Sequence, residues 1–246
     1  MKKAIGILVL GIGIVLSIPN STFAVTCNFN TVDGNAITGS LAVQHVCVAG
    51  DVMDIISGGI AVSTQPIKSK QNTFTLTNSG TIEATAGSIA ILATGDNQTI
   101  HNNGIIRVND SNSVSGIRSE GETFILNNNN NATIQAPSLA VNVKAGDSAT
   151  ITNSGTIFGT TQRAIYLNST GHTITNESDG TIKAGEDDET YGWNASDRLA
   201  VELGTNATNL ILDNYGTINS GINTIKTASE DMTLTNYSGG TISAQT

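Results

Sequence analysis

The two cysteines, Cys27 and Cys47, are the first candidates for chemistry in this sequence, and they lie 20 positions apart. In an oxidising compartment two such thiols form a disulfide that closes a short loop. We expect this pairing, and two free buried thiols are the alternative. A zinc site would need more ligands. His101 and His172 are far along the chain, and only His45 is close to Cys47. The sequence therefore predicts one disulfide, no metal site and no cofactor.

The densest group of carboxylates lies in GEDDETYGWNASDR (185–198), which also holds the only tryptophan. An aromatic pair with charge of one sign suits a basic protein surface, or a sugar ring stacked on the indole. Calcium binding is an alternative, although no ligand spacing supports it, and a solvated acidic excursion is another. The candidate partner-binding residues of this loop are Glu186, Asp187, Asp188, Glu189, Tyr191, Trp193 and Asp197.

The overall charge narrows the classes of partner. The chain of 246 residues carries 20 acidic and 11 basic side chains, for a formal net charge of −9. Nucleic acids and anionic membrane surfaces need a basic footprint, so the composition argues against both. Only 4% of the residues are aromatic, and a core must therefore be built from Ile, Leu, Val and Ala.

Residues 1–24 have the three parts of a secretory signal peptide. MKK is positively charged, AIGILVLGIGIVLSI (4–18) is apolar, and PNSTFA (19–24) ends in small residues. We expect cleavage after Ala24. The alternatives are an uncleaved anchor and a lipid on Cys27, although Thr26 stands where a lipidation signal has Gly or Ala.

Cleavage at this point leaves 9 basic against 20 acidic side chains, a net charge of −11. No later stretch is long and apolar enough to span a bilayer. The sequence therefore predicts an exported chain with no transmembrane segment in the mature protein. It would be found at the cell surface or outer membrane, or outside the cell.

A heptapeptide with a fixed pattern recurs along the chain, as LTNSGTI (76–82), ITNSGTI (151–157) and LDNYGTI (212–218). Its asparagine recurs at intervals of 24, 26, 25, 23, 38 and 22 residues. A period near 24 is too short for two packed helices and suits one coil of a β-solenoid. The predicted structural column consists of Asn78, Asn102, Asn128, Asn153, Asn176, Asn214 and Asn236.

Within each coil the apolar residues alternate with polar ones, as expected for strands. In FTLTN (74–78) the residues Phe74, Leu76 and Asn78 share one face, and a second apolar patch such as SIAILA (88–93) follows. The sequence predicts an all-β protein that folds as a single parallel β-helix, with about eight or nine coils of ~22–26 residues. Residues 25–59 are expected to form an N-terminal cap with irregular first coils. Residues 60–246 are expected to form the repeats, without an evident C-terminal cap.

Stacking of the coils explains the heptapeptide as a corner device. Recurring residues become columns, in which Ile and Leu fill the interior and the asparagine amides hydrogen-bond one another. We expect the asparagine to occupy a left-handed conformation. The glycine two positions later is expected to supply a φ that other residues resist. NNNNN (127–131) is interpreted as the same corner with two more residues.

Catalysis by an exported polysaccharide lyase or hydrolase needs two carboxylates, or a carboxylate with Arg or Lys, on one outer face. Neither predicted outer column stacks two acids. Glu83 beside Arg107 and Glu202 beside Lys226 are typical cross-strand charge pairs. The sequence therefore predicts no catalysis, with a carbohydrate-active enzyme on a β-helix as the alternative. The first column is Glu83, Arg107, Gln135, Phe158, Lys183, Asn219 and Ser243, and the second is Leu92, Arg118, Asn142, Tyr166, Glu202 and Lys226.

The signal peptide, followed by coils such as TITNSGTI and TLTNYSGGTI, resembles the passenger region of bacterial autotransporters over about residues 60–246. The resemblance implies a right-handed helix, in agreement with the crossover rule. It also implies display at the outer membrane and adhesion to a host-cell or matrix protein or a glycan. The chain departs from the family because it stops at TISAQT (241–246), without a C-terminal β-barrel. We expect either a fragment of a longer protein or an open last coil that serves in self-association.

Overall fold

The computed structural model describes residues 65–244, except 71, 86–87, 110–114, 147, 186–197 and 229–230, together with the backbone of four strands nearer the N-terminus. These residues form 25 strands, which belong to three parallel sheets, and no helix occurs among them. We name the sheets in the order in which one coil passes through them, starting from the strands that end in the asparagine.

Sheet 1 consists of nine strands, and from β6 onward each ends in an asparagine of the repeat. The strands are β1 (Cys27–Asn28), β3 (Val52–Ile55), β6 (Thr75–Asn78), β9 (Thr99–Asn102), β12 (Ile125–Asn128), β15 (Thr150–Asn153), β18 (Thr173–Asn176), β21 (Leu210–Asn214) and β24 (Met232–Asn236).

Sheet 2 consists of eight strands, most of which begin with the Thr-Ile pair of the heptapeptide. The strands are β4 (Ile60–Ser63), β7 (Thr81–Ala84), β10 (Ile105–Val108), β13 (Thr133–Ala136), β16 (Thr156–Gly159), β19 (Thr181–Ala184), β22 (Thr217–Ser220) and β25 (Thr241–Ala244).

Sheet 3 also consists of eight strands, which include the second apolar patch of each coil. The strands are β2 (His45–Cys47), β5 (Ile67–Ser69), β8 (Ile89–Ala93), β11 (Ser115–Ser119), β14 (Leu139–Val143), β17 (Arg163–Leu167), β20 (Leu199–Leu203) and β23 (Asn223–Thr227).

The chain passes through the three sheets repeatedly in the same order, and each strand pairs in parallel with the equivalent strand one coil away. The predicted all-β parallel solenoid is therefore confirmed. From β5 to β25 the strands make about seven turns, slightly fewer than the eight or nine predicted.

The interior is built from columns of nearly identical apolar side chains. In sheet 2 the second residue of each strand from β7 onward is isoleucine. The outer position before it is mostly threonine, which suits a pleated surface. Six of the seven isoleucines are completely buried and the seventh lies in the last turn. They are Ile82, Ile106, Ile134, Ile157, Ile182, Ile218 and Ile242.

Sheet 3 departs from simple alternation. In β17 both Ala164 and Ile165 are completely buried, so that Arg163 and Tyr166 lie on the same outer face. The equivalent pair in β14 is Ala140 and Val141. β17 therefore presents its first and fourth residues outward, and this spacing decides which charged side chains meet.

The corner from sheet 3 to sheet 1 contains a residue with positive φ at one equivalent position in every turn. The residue differs from turn to turn, and only one of the seven is glycine. Such a conformation is unfavourable for β-branched side chains in particular. The seven residues are Thr73, Asn97, Thr123, Ser148, Gly171, Asn209 and Asp231.

Candidate binding faces

The asparagines of the repeat form one continuous hydrogen-bonded ladder inside the corner between sheets 1 and 2. Each Nδ2 donates to the Oδ1 of the asparagine in the next coil, at 2.7–2.8 Å, from Asn78 through to Asn236. The same Nδ2 groups also donate to backbone carbonyls, for example from Asn153 to Gly155 and Thr181. Because both ends of each internal amide are paired, these residues can be buried without an unpaired polar group. The ladder is structural.

The prediction that the asparagine and the glycine of the heptapeptide adopt left-handed conformations was wrong. The asparagines end regular strands and have no positive φ, and neither do Gly104 and Gly155. A Cβ on Gly104 would instead collide with the carbonyl oxygen of Gly80, one coil below. Glycine is therefore needed because the corners of successive coils approach each other closely. In the corners between sheets 1 and 2, positive φ occurs among the described residues only at Asn131 and Gly239, where 127–131 and 236–240 form longer corners.

His101 and His172, the histidines whose side chains the structure describes, take part in separate local contacts. His172 is buried, its Nδ1 accepts from the amide of Ala149 at 3.2 Å, and its Nε2 lies 3.1 Å from Ser169 Oγ. His101 lies on the outer face of sheet 1, where its Nδ1 is 3.2 Å from Asn127 Nδ2. Within the part of the chain that the structure describes, no group of three His, Cys, Asp or Glu side chains could hold a metal ion.

The outer face of sheet 2 carries isolated charge contacts. Arg107 Nε donates to Glu83 Oε2 at 2.6 Å, as the predicted column suggested, and Asn109 Nδ2 donates to the other carboxylate oxygen. Lys183 Nζ lies 4.0 Å from the centroid of the Phe158 ring, a favourable cation–π geometry. These contacts join neighbouring coils and leave no pair of carboxylates facing each other.

The outer face of sheet 3 brings more polar groups together. Glu202 is 7% exposed and accepts from Arg163 Nε through Oε2, while its Oε1 lies 3.2 Å from Lys226 Nζ. The Arg163 guanidinium also lies 5.9 Å from the centroid of the Tyr166 ring. The sequence predicted the contact with Lys226 but missed Arg163, because strict alternation would place residues 163 and 166 on opposite faces. The repeated small-apolar pairs, such as Ala164-Ile165, were the signal for two successive inward residues.

Two polar atoms on this face are buried without a hydrogen-bond partner among the described residues. Asn142 is 6% exposed, its Nδ2 donates to Ser115 Oγ at 3.3 Å, and its Oδ1 is unpaired. Arg118, in register with Asn142 one coil below, forms an ion pair with Glu120 through Nη2 but leaves Nε unpaired. We call Arg118, Asn142, Tyr166, Arg163 and Glu202 the sheet 3 strip.

An aromatic pair stands at the corner between sheets 1 and 2, near the last turn. Tyr215 and Tyr237 stack with ring centroids 4.1 Å apart and planes at 7°. The hydrogen bond with Tyr237 raises the pKa of the Tyr215 hydroxyl above its usual value of 10.0, and the charges of Asp213 and Glu177 act in the same direction. The Tyr215 hydroxyl is therefore protonated at neutral pH.

For the remaining predicted site residues, the structure describes at most the backbone. All seven candidate residues of the 185–198 loop fall outside the described residues, and Gly185 and Arg198 flank them. The backbone places Cys27 in sheet 1, in register with Met53, and Cys47 in sheet 3, in register with Ser69. The disulfide between them stays a prediction.

Comparison with known proteins does not place the chain in a family. No protein-family model, no curated protein and no solved structure matches it. A search of the described residues finds no helix that is long and apolar enough to cross a membrane.

Proposed function

We propose that the protein is an exported structural and adhesive module, displayed on the cell surface or secreted, and similar in kind to autotransporter passengers. One observation carries the proposal: the recurring residues of the repeat are used inside the solenoid. The asparagines bond to one another and the isoleucines fill the core. A partner therefore meets the outer positions, which differ from turn to turn, and the loops between strands. The N-terminal sequence supports export.

Export can be tested by expressing the whole chain with a C-terminal epitope tag in a Gram-negative host. We expect mass spectrometry of the exported protein to show a new N-terminus after Ala24. Protease added to intact cells, or analysis of the medium, should then reach the tag. Uncleaved protein confined to the cytoplasm would contradict the proposal.

The adhesive surface is proposed to include the 185–198 loop, because it joins two aromatic side chains to five acids. Replacement of residues 186–197 by a short Gly-Ser link should leave the melting temperature almost unchanged, since the buried columns do not pass through the loop. Binding to host cells or matrix should fall. A matched variant, Tyr191→Ser with Trp193→Ser, keeps the loop length and the acids, so it separates the aromatic contribution from the charge. Adhesion that survives both changes would place the site elsewhere.

Self-association through the last turn is a second part of the proposal. Leu234 continues a column of buried Leu and Ile but is 45% exposed, and the edges of β23, β24 and β25 have no partner strand among the described residues. A second copy of the chain would bury these groups. Analytical ultracentrifugation should show a concentration-dependent oligomer that Leu234→Asp dissociates, and a strictly monomeric wild-type protein would refute this part.

A carbohydrate-active enzyme remains the alternative function, and Glu202 is the observation that favours it. Its carboxylate meets both Arg163 and Lys226 on one outer face, as general acid–base chemistry on a glycan would require. A panel of polysaccharides, assayed for new reducing ends and for unsaturated products, distinguishes the two functions. An adhesive module leaves every polymer intact, whereas turnover that is lost in Glu202→Gln would establish the enzyme.

A further inference from the structure

We propose that the sheet 3 strip binds a glycan chain lying along the axis of the solenoid. This inference rests on the adhesive function proposed above, for which it names a ligand class and a second site. The starting observation is the unpaired Oδ1 of Asn142, a side chain that is more than nine-tenths buried on an outward-facing strand position. An unpaired buried acceptor costs free energy that a hydrogen-bonding ligand recovers.

The unpaired polar atoms of the strip favour a ligand that is rich in hydroxyl groups. Asn142 Oδ1 needs a donor and Arg118 Nε needs an acceptor, and a sugar hydroxyl provides both at one oxygen. Tyr166, the next residue of the column, offers a ring on which a sugar can stack. The cations are already engaged, Arg118 by Glu120 and Arg163 by Glu202. The strip therefore does not present bare positive charge to a phosphate or a sulfate.

The register of the sheet sets the direction of the ligand. Arg118, Asn142 and Tyr166 stand in successive coils at the same strand position, about 4.8 Å apart along the axis. A chain of sugar units that runs along the axis would meet one of these side chains in each turn. A ligand crossing the sheet at right angles would meet only one.

The two unpaired atoms are covered in the unliganded protein, so a side chain has to move to admit the ligand. We assign this movement to Arg118, the neighbour of Asn142 in the column. Only its ion pair with Glu120 has to rearrange, and the two side chains are 20% and 32% exposed. Ion pairs near the surface contribute little to stability. Opening the strip therefore requires a side-chain rotation and leaves the solenoid backbone in place.

The test measures binding of the exported chain to a panel of neutral and acidic oligosaccharides, followed by calorimetry with those that bind. We expect neutral chains to bind, and Asn142→Leu to weaken binding at least ~10-fold. The melting temperature should change little, because the substitution removes the unpaired Oδ1 together with the hydrogen bond from Nδ2 to Ser115 Oγ, and the two effects on stability oppose each other. Asn127→Leu, the same change on the outer face of sheet 1, is the matched control and should bind normally. Tyr166→Phe should keep the affinity, whereas Tyr166→Leu should lose it.

The outcomes separate this inference from the proposed function. If the chain adheres to cells but binds no oligosaccharide, the glycan strip is wrong and the adhesive function stands. Binding confined to sulfated or uronate-containing chains would overturn recognition through hydroxyl groups. If Asn142→Leu does not fold, Arg118→Met and Tyr166→Leu provide the test, and unchanged affinity in both refutes the site. Failure of export or of adhesion with oligosaccharide binding intact counts against the proposed function alone.

Discussion

At the scale of single residues, the position of a side chain in its column decides its role. Asparagine is used at the corner because it donates and accepts at once, so that each internal member is paired on both sides. Glycine is used where the coils approach too closely for a Cβ. These requirements are local, and they can be tested by substitutions at single positions.

Replacing Asn153 should break the ladder in its middle. Asn153→Leu leaves Asn128 Nδ2 and Asn176 Oδ1 without their partner, and each buried unpaired group costs about 1–3 kcal/mol. We therefore expect the free energy of unfolding to fall by at least about 2 kcal/mol in chemical denaturation. The outer neighbour Thr152 is the control, and Thr152→Leu should change stability little. Equal effects at the two positions would contradict the structural role of the ladder.

Asn153→Asp provides a pH-dependent version of the same test. The new carboxylate can accept from Asn128 but cannot donate to Asn176 Oδ1, whereas the protonated carboxyl can do both. Burial beside an acceptor raises the folded-state pKa of this carboxyl above its unfolded value. The destabilisation is therefore present above the folded pKa and lost as the pH falls through it. The difference in unfolding free energy from the wild type should shrink at acid pH, and a constant difference would refute this account.

The positions with positive φ in two neighbouring coils are occupied by different residue types, and swapping these types tests the backbone strain. Thr123 has φ 57° and Asn97, one coil below, has φ 53°. Because asparagine tolerates this region far better than a β-branched residue, Thr123→Asn should raise the free energy of unfolding, by about 1 kcal/mol. Asn97→Thr should lower it by a similar amount. Thermal and denaturant unfolding of both variants should show opposite signs, and equal signs would contradict the strain.

At the scale of strands, the recurrence of side chains made the fold predictable. Asn78 and its equivalents recur near one period, and their columns coincide with those of sheet 1. The contact between Arg163 and Glu202 was not predictable from alternation, because sheet 3 takes two inward residues in succession. The left-handed corner was missed for another reason: Thr, Asn, Ser, Gly and Asp share that position, so no single residue type marks it.

The interior columns should respond to truncation much more than the outer ones. Ile157 is completely buried in β16, and Ile157→Ala should cost about 2–5 kcal/mol through lost burial and the cavity that remains. Thr156→Ala, the neighbouring change on the outer face, should stay within about 0.5 kcal/mol. Chemical denaturation of the two variants compares them directly. Similar losses would mean that the two faces of the strand have been assigned wrongly.

At the scale of the whole molecule, each turn is stabilised by its two neighbours, so the ends of the solenoid need separate protection. The strands that contain Cys27 and Cys47 pair with β3 and β5 at the N-terminal end. A disulfide between them would join sheets 1 and 3 at the first strands that the structure describes in each. Fixing this end would oppose fraying of the first turns.

The disulfide can be tested on the exported protein. Denatured but unreduced protein should react with no thiol reagent, and reduction should expose two thiols per chain. We expect Cys27→Ser with Cys47→Ser to lower the melting temperature, with cysteines blocked after reduction as the chemical control. Two reactive thiols before reduction would refute the bridge.

The asparagine ladder also has an electrical consequence. In every contact between successive asparagines the Nδ2–H points the same way along the axis, from Asn78 towards Asn236, so the amide dipoles add instead of cancelling. Parallel sheets supply little net dipole of their own, and the ladder therefore makes the two ends of the solenoid electrically unequal. The end at Asn236 is the positive one, although the chain as a whole is an anion. A small anion should therefore be held more readily at that end than at the other.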